Sequence, residues 1–364
     1  MMNGSTMLTI NRIKKLQSIL EKESLDLFLV NFLPNVRYLT GYTGTNGLVL
    51  ISPNGSLFLT DFRYKEQASE QVKQLKVVIA ERELILSLPT LSLLKPKRLK
   101  LGFESNHLSC GTYQKLKNLL PHCLLVPTEN LVESISIKKE QNEIEKIKKA
   151  ICITEQVFYE ILDFVKPQAK EQDIAAEIEY RFKKYGSGAP FFETIVASGK
   201  RSALPHGVAS GKKIEKGDLV TLDMGAVYDG YTADLTRTVV VGKANKRQKE
   251  VYNIVLKAQK QALSKVKPKI RACDLDKVAR DVIKRAGYGK YFGHGLGHGI
   301  GGIIHEGPAV NPRNQQLLEP GMVITVEPGI YIPNWGGIRI EDDVLITKKG
   351  CKVLTKAEKK LIEV

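Results

Sequence analysis

The stretch Phe292-Gly293-His294-Gly295-Leu296-Gly297-His298-Gly299-Ile300-Gly301-Gly302-Ile303-Ile304-His305-Glu306-Gly307-Pro308 is the most informative part of this 364-residue chain. It contains three of the six histidines of the chain, with glycines between them. Glycine allows close backbone approach and unusual backbone angles. A lone histidine is more often a core residue than a ligand, but that explanation does not account for three histidines among glycines. No Lys-Ser/Thr follows the glycines, which argues against a phosphate-binding loop. The stretch therefore predicts a functional site.

Four carboxylates flank this stretch in segments that are typical of β-strands. One ends the apolar run 219–222, one follows a predicted turn at Asp229-Gly230, one begins a Glu-Pro-Gly turn, and one lies in the alternating segment 336–343. With one histidine they make five candidate metal ligands: Asp223, Asp234, His298, Glu327 and Glu341. These hard donors carry too much negative charge for one ion and suit two divalent cations that share carboxylates. The set predicts a two-metal hydrolase.

Two simpler interpretations compete with the metal site. Asp223 and Asp234 could be solvated acids of an exposed hairpin, but both are embedded in apolar β sequence, which argues against exposure. Arg339 and Glu341 are two residues apart, so a strand would place them on one face. An ordinary salt bridge between them is a serious alternative for Arg339 and a weaker one for Glu341.

Composition limits the class of protein. The chain is 43% hydrophobic and 26% charged, as in ordinary globular proteins, and its length favours two domains. No apolar run reaches the ~20 residues of a membrane helix, and the start lacks the pattern of a signal peptide, so a cytoplasmic location without membrane association is expected. The five cysteines lack CxxC spacing, which argues against a disulfide framework or a zinc knuckle. The net charge of +16 is spread over short mixed runs, so nucleic acid is not an expected partner.

The pattern of the chain changes between Leu131 and Ile137. Before this point, short apolar runs (27–30, 48–51, 57–59 and 77–79) alternate with polar helical stretches (10–23 and 63–75), which predicts an α/β domain. After it, a long amphipathic helix is predicted over about 139–164.

The second part of the chain contains an internal repeat with an offset of 101 residues, which pairs Val165-Lys166-Pro167 with Val266-Lys267-Pro268 and Gly186 with Gly287. Each copy reads as a long helix, a Pro break, a second helix and a Gly stop. Asp173 and Asp274 are the predicted N-caps of the second helices. Two such hairpins would cover one face of a sheet, and a cleft between the half-repeats is a natural place for a site.

The complete pattern resembles the creatinase and aminopeptidase P superfamily, and most of all its Xaa-Pro peptidases, aminopeptidase P and prolidase. Segments 35–42 (NVRYLTGY) and 59–64 (LTDFRY) resemble the N-terminal domain, and everything from about residue 139 resembles the catalytic domain. The resemblance implies an α+β fold. A creatinase-like α/β domain over residues 1–133 would serve substrate gating and dimer contacts. A catalytic pita-bread domain over 134–364 would pack pseudo-twofold helical hairpins on a curved antiparallel sheet.

The resemblance also implies how the five ligands divide. Asp223, Asp234 and Glu341 would hold one divalent ion, and Asp234, His298, Glu327 and Glu341 the other. The implied metal is Mn(II), with Co(II) or Zn(II) as alternatives. Two such ions would lower the pKa of a water that attacks the peptide carbonyl.

Catalytic and binding roles are implied for the neighbouring residues. Glu327 would be the general acid and base, and His305 would stabilise the tetrahedral intermediate. His206, a further catalytic candidate, and His294 would line the pocket for the penultimate proline. Arg339 would fix the site, and Tyr331 is a weaker candidate.

The implied activity is that of an Xaa-Pro aminopeptidase acting on proline-containing peptides as a homodimer. Xaa-Pro dipeptidase (prolidase) is the alternative, because the motifs do not report the peptide length accepted. A basic binding protein on the same scaffold is the competing class. The complete ligand set argues against creatinase, which does not use these ligands, and against nonenzymatic relatives. The N-terminal domain argues against methionine aminopeptidase.

Overall fold

A computed structural model describes residues 4–95 and 98–364 of the chain. The described contacts divide it into unit 1, Met1–Ser136, and unit 2, Ile137–Val364. The predicted division after residue 133 falls within the last short helix of unit 1, Glu133–Ser136. None of the helices in the described ranges combines the length and the apolar character needed to cross a bilayer.

The described residues of unit 1 form six α-helices, six strands and some short 3-10 turns. The helices are α1 (Gly4–Lys22), α2 (Leu33–Thr40), α3 (Lys65–Gln71), α4 (Leu84–Ser87), α5 (Cys110–Leu119) and α6 (Glu133–Ser136). The strands are β1 (Leu27–Val30), β2 (Leu48–Ser52), β3 (Gly55–Asp61), β4 (Lys76–Ala80), β5 (Leu99–Glu104) and β6 (Cys123–Thr128). The four strands predicted from apolar runs are confirmed.

These strands form one mixed sheet in the order β4-β3-β2-β1-β5-β6. The central strand β1 is buried along its whole length and pairs antiparallel with β2 and parallel with β5. Its continuous apolar sequence is typical of a strand that is covered on both faces. Unit 1 is therefore the α/β domain that the alternation of apolar runs and polar helices predicts.

One carboxyl group is buried where β5 ends. Glu104 is 6% exposed and accepts hydrogen bonds from the backbone N–H groups of Asn31 and Phe32, each at 2.7 Å. The Asn35 amide donates to its other oxygen, also at 2.7 Å. Burial raises the pKa of Glu104 to about 7, and these donors only partly oppose the rise.

The raised pKa predicts that unit 1 loses stability as the pH rises. The folded state favours the protonated form, so the contribution is fully present below about pH 4.5 and is lost as the pH passes about 7. The loss is at most about 3 kcal/mol. Hydrogen exchange of β1 and β5, corrected for intrinsic rates, should show it between pH 5 and pH 8. Glu104→Gln should lack that difference, and an unchanged pH dependence in the variant would contradict the assignment.

Unit 2 contains four long helices and twelve strands. The helices are α7 (Gln141–Ile161), α8 (Glu171–Lys184), α9 (Lys246–Lys265) and α10 (Ala272–Arg285). The strands are β7 (Ile195–Ser198), β8 (Leu219–Met224), β9 (Val227–Tyr228), β10 (Tyr231–Thr232), β11 (Leu235–Val240), β12 (Gly297–Gly299), β13 (Glu306–Val310), β14 (Val323–Val326), β15 (Gly329–Ile332), β16 (Gly336–Arg339), β17 (Asp342–Ile346) and β18 (Cys351–Val353).

The internal repeat appears as two helix pairs, α7 with α8 and α9 with α10. Gly186 and Gly287, at equivalent positions, both have positive φ, 78° and 88°, which glycine adopts without a steric penalty. The predicted N-caps are wrong, because α8 and α10 are preceded by Lys170 and Arg271. The two aspartates lie instead in the first helical turn, where a negative charge complements the helix dipole.

Each helix pair packs on its own apolar core. The α7 and α8 pair contributes Phe158 and Ile178 to a cluster that includes Leu222 of β8. The α9 and α10 pair contributes residues to a second cluster that includes Ile324 of β14. The strands under the first pair have the order β11-β8-β7, and those under the second have the order β13-β12-β14-β17-β18. The two half-repeats thus present two antiparallel sheets whose strand ends carry the candidate ligands.

Candidate metal centre

The first two candidate ligands lie on neighbouring strands of the β11-β8-β7 sheet. Asp223 of β8 pairs with Thr236 of β11, and Asp234 directly precedes β11. The predicted partner strand is interrupted, because Tyr231 belongs to the separate β9–β10 hairpin. At this break a Cβ on Gly225 would stand 2.1 Å from the Ala233 carbonyl oxygen, so only glycine fits. Asp234 and Asp223 line the same cavity, close enough for their charges to repel each other.

The next two carboxylates meet at one end of the other sheet. Glu327 directly follows β14 and Glu341 directly precedes β17, and these antiparallel strands pair Val326 with Asp342. His298 is the central residue of β12, whose neighbour Gly299 pairs with Ile324 of β14. The end of one antiparallel strand lies beside the start of its neighbour, so ligands far apart in sequence come together.

The five side chains converge on one cavity of about 340 Å³. Ligand atoms of Asp234, His298 and Glu341 all lie within 4.8 Å of one another. The Nε2 atom of His298 is 3.5 Å from Asp234 Oδ2 and 3.5 Å from Glu327 Oε1. Asp223 lines the same cavity. These spacings are those of groups that could share a cation.

His298 is held in the protonation state that a metal ligand needs. Its Nδ1 is 3.1 Å from the Gly299 carbonyl oxygen, which can only accept, so Nδ1 carries the proton and Nε2 presents a lone pair to the carboxylates. Burial lowers the pKa of His298 to about 4, which keeps the ring neutral at neutral pH. Its backbone N–H donates to Thr325 Oγ1 at 3.0 Å, which fixes the residue in the strand.

The buried carboxylates are poorly balanced by the protein itself. One oxygen of each of Asp223, Asp234 and Glu341 has no hydrogen-bond partner among the described residues. Burial, followed by repulsion from neighbouring carboxylates, raises the pKa of Asp234 and of Glu341. Burial also raises the pKa of Glu327, to about 8. Oxygens without partners and mutually repelling acids are what divalent cations relieve, so the residues present fit a metal centre.

Arg339 connects the ligands to the wall of the cavity. This buried guanidinium pairs with Asp223, which argues against the alternative salt bridge to Glu341 as its main contact. The reason is that β16 ends at Arg339 and β17 begins at Asp342, so the alternation of a single strand does not continue to Glu341. Arg339 also donates to Tyr331 Oη at 2.8 Å and to the Pro205 carbonyl oxygen at 3.1 Å.

Three further histidines line the same cavity. His294 donates from Nδ1 to the Gly295 carbonyl oxygen at 2.7 Å, so its Nε2 accepts from Tyr331 Oη at 2.9 Å. Burial lowers the pKa of His294 to about 4. The His305 ring lies 4.4 Å from the His298 ring, edge to face, and burial lowers its pKa. His206 is exposed. Nine of the ten residues named from the sequence as site residues therefore line one cavity, and the tenth, Tyr331, contacts its wall through Arg339.

Sequence reasoning missed the residues that orient the ligands. Thr236 Oγ1 donates to Glu341 Oε2 at 2.6 Å, and Thr325 Oγ1 donates to Glu327 Oε1 at 3.3 Å. Asp343 Oδ2 accepts from the Asp234 backbone N–H at 3.1 Å. The two threonines lie two positions from a ligand, and this spacing on one strand face is a signal that could have found them. The apolar wall formed by Phe192, Ile195 and Val208 had no such signal.

Comparison with known proteins identifies the family. Residues 145–348 match metallopeptidase family M24, and residues 12–135 match the creatinase/prolidase N-terminal domain. The chain belongs to metallopeptidase family M24. As predicted, this M24 peptidase has a creatinase-type N-terminal domain followed in sequence by a domain with the pita-bread fold. It is a hydrolase, and its family uses divalent metal ions.

Relatives of this M24 peptidase match it over nearly its whole length. An Xaa-Pro dipeptidase of Pyrococcus horikoshii is 41% identical over 356 residues, which cover 96% of this chain and 98% of the relative. The solved structure of an Xaa-Pro dipeptidase from Bacillus anthracis has a TM-score of 0.94 at 43% identity and covers 98% of this chain and 100% of its own. An X-Pro aminopeptidase from Thermotoga maritima has a TM-score of 0.89 at 39% identity, with 97% and 99% covered.

Proposed function

We propose that this M24 peptidase is an Xaa-Pro dipeptidase that hydrolyses the bond between an N-terminal residue and a C-terminal proline. The observation that carries the proposal is the full-length likeness to proteins named Xaa-Pro dipeptidase, at 41% and 43% identity. The predicted Xaa-Pro aminopeptidase activity is not confirmed, although one solved relative bears that name. A cavity of about 340 Å³ lies at the small end of ligand sites, which supports a short peptide as substrate.

Five side chains would hold the metal. We assign Asp223, Asp234 and Glu341 to one divalent ion and Asp234, His298, Glu327 and Glu341 to a second, with Mn(II) as the first candidate and Co(II) or Zn(II) as alternatives. The oxygens without partners on three of these carboxylates and the Nε2 of His298, which faces Asp234 and Glu327 at 3.5 Å, support the assignment. When bound, such ions supply Lewis acidity and lower the pKa of water.

Glu327 is the proposed proton carrier. Its carboxyl lies beside His298 and accepts from Thr325 Oγ1, which leaves its second oxygen free to take a proton and pass it to the leaving proline nitrogen. His305 is exposed at the cavity, and partial desolvation of its ring lowers its pKa, so the neutral ring can donate one N–H to the oxygen of the scissile carbonyl. The next residue in the chain, Glu306, is fixed by a buried ion pair with Lys139.

The remaining residues would hold the peptide. His206 and His294 are proposed to line the proline pocket, and the Arg339 contacts with Tyr331 and Pro205 support a wall that keeps its shape. By family resemblance we also propose a cytoplasmic homodimer in which unit 1 serves substrate gating and dimer contacts. Light scattering of the purified protein measures the oligomeric state.

Peptide length is the direct test of this function. The metal-free protein is loaded with Mn(II) or Co(II) and assayed on Xaa-Pro dipeptides beside Xaa-Pro-Xaa tripeptides, with Xaa-Ala dipeptides as the control for the proline requirement. We expect hydrolysis of Xaa-Pro dipeptides only. Cleavage of the tripeptides would replace this proposal with the aminopeptidase activity, and no hydrolysis of any peptide would refute both.

A further inference from the structure

One loop of unit 2 carries the proposed substrate-binding residue His206 but none of the five candidate metal ligands. We define it as the His206 loop, residues 198–210. It leaves β7 at Ser198, makes a short 3-10 helix over Gly199–Ala203, and presents the exposed His206 and Leu204 near its tip. Internal backbone hydrogen bonds are short-range, such as Gly207 N to Leu204 O at 3.1 Å. These local turns do not by themselves determine where the loop lies.

A buried carboxylate joins the two ends of this loop, and backbone contacts at Val208 and Ser210 assist it: Val208 forms a β-bridge with Ile195, and the Ser210 carbonyl oxygen accepts from Gln172 N at 3.0 Å. Glu171, the first residue of α8, is fully buried. Its Oε1 accepts from the backbone N–H and the hydroxyl of Ser198, at 2.7 and 2.8 Å. Its Oε2 accepts from Ser210 N–H and Oγ, at 3.1 and 2.6 Å, and from Arg201 Nε at 2.9 Å. Five donors from the start, the middle and the end of the loop thus converge on one side chain.

This arrangement offsets the cost of burying Glu171. Five hydrogen bonds, one of them from a guanidinium, replace the water that the carboxylate loses. The position at the start of a helix adds the favourable helix dipole. Because a flexible loop loses entropy when its ends are brought together, a contact that closes both ends restricts the positions open to everything between them.

The loop also contacts β16, which carries Arg339 of the cavity wall. Ser202 Oγ accepts from the backbone N–H of Gly337 in β16 at 2.8 Å. The carbonyl oxygen of Pro205, next to His206, accepts from Arg339. A Cβ on Gly337 would stand 2.0 Å from the Ser202 carbonyl oxygen, so the close approach needs glycine. Glu171 fixes the base of the loop, and these contacts place its tip beside the cavity, although Glu171 itself is not among the residues that line it.

We propose that Glu171 is a positioning residue of the peptidase site, which closes the His206 loop and thereby sets His206 against the substrate. The assignment rests on the proposed function for the role of His206, but the closure of the loop stands on the contacts alone. Glu171 does not touch the five ligands, so it acts on substrate binding and leaves metal binding unchanged.

Glu171→Gln is the first test, because the amide keeps the shape of the side chain while one oxygen becomes a donor. With the Mn(II)-loaded protein and an Xaa-Pro dipeptide, we expect kcat/KM to fall by about 10²-fold, mainly through KM, as for a misplacement of about 1 Å. Mn(II) affinity measured by calorimetry should stay within about twofold, because the ligands are untouched. An unchanged KM in a folded variant would overturn the proposal.

A double-mutant cycle shows whether Glu171 acts through the loop. In a His206→Ala background, Glu171→Gln should lower kcat/KM by less than about threefold, since residues that act through one another are not additive. Fully additive losses would assign Glu171 a general structural role. Glu160→Gln is the matched control, because Glu160 accepts from Tyr185 at 2.7 Å and pairs with Arg181, away from the loop. It should keep the wild-type kcat/KM.

Limited trypsin digestion tests loop closure without an assay of peptidase activity. Lys200 and Arg201 lie inside the loop, and cleavage after them should be faster in Glu171→Gln than in the wild type. Mass spectrometry of the fragments identifies these cleavage sites. Equal cleavage rates would refute closure even if the protein proves not to be an Xaa-Pro peptidase. If Glu171→Gln does not fold, Ser210→Ala removes one donor, and faster cleavage with a smaller rise in KM is expected. Unchanged cleavage and KM in that variant would count against the proposal.

Discussion

Asp234→Asn is expected to abolish peptide hydrolysis at every concentration of added metal, with a loss of at least about 10³-fold in kcat/KM. Asp234 is buried, one of its oxygens has no partner among the described residues, and the other lies 3.5 Å from His298 Nε2. An amide at this position removes the negative charge and one of the two oxygens needed for a bridging ligand. Activity on an Xaa-Pro dipeptide with Mn(II) is the measurement.

The same substitution is not expected to destabilise the metal-free protein. Burial and the neighbouring carboxylates raise the pKa of Asp234, so replacing it with a neutral amide should leave the free energy of unfolding of the metal-free protein at pH 8 equal or higher. The wild type should gain about 2.7 kcal/mol for each bound ion at a Mn(II) concentration of 100 times Kd, and the variant should gain almost none. Calorimetric unfolding with and without Mn(II) measures both effects.

The exposed Asp173 of α8 provides the control for this experiment. Asp173→Asn makes the same chemical change in the same unit and should keep both hydrolysis and the stabilisation by Mn(II). Wild-type hydrolysis or a full metal-dependent stabilisation in Asp234→Asn would remove this residue from the metal centre.

Glu327→Gln is expected to lower kcat by about 10² to 10⁴-fold, the usual contribution of a general acid or base. The amide keeps the size of the side chain and an oxygen that can accept from Thr325 Oγ1, but it cannot take up and release a proton. Mn(II) should bind more weakly than in the wild type and more tightly than in Asp234→Asn, because one ligand atom is retained. Saturating the variant with Mn(II) and the dipeptide separates kcat from affinity.

Glu319→Gln is a suitable control, because Glu319 is a half-exposed carboxylate that pairs with Lys138 at 2.6 Å. It should leave kcat unchanged. If Glu327→Gln keeps a wild-type kcat once saturated with metal, another group must carry the proton.

The periodic features of the fold were predictable from the sequence. The apolar run over Leu27–Val30 and the pattern of α7 identify their elements, because burial on a strand or on one helix face selects apolar residues at fixed spacing. The repeat at an offset of 101 residues was also visible, since both helix pairs pack on a sheet and end at a glycine with positive φ, Gly186 or Gly287. The N-caps were not, because Lys170 and Arg271 lack the side chains typical of caps.

The identity of the candidate ligands was predictable, but their surroundings were not. Hard donors embedded in β sequence and histidines among glycines indicate a metal site without any coordinates. The pairing of Arg339 with Asp223 joins residues 116 positions apart. Residue spacing along one strand does not reveal this contact, because the contact depends on where β16 ends and on how two sheets meet.

The sequence by itself determined the candidate ligands, the repeat and the resemblance to two-metal peptidases, since these depend on residue type and spacing. Only the tertiary structure decided which tautomer His298 adopts, which oxygens lack partners and how Glu171 closes the His206 loop. The physical reason is that hydrogen bonds and charge interactions act over a few ångströms. The sequence does not specify such distances between residues that are far apart along the chain.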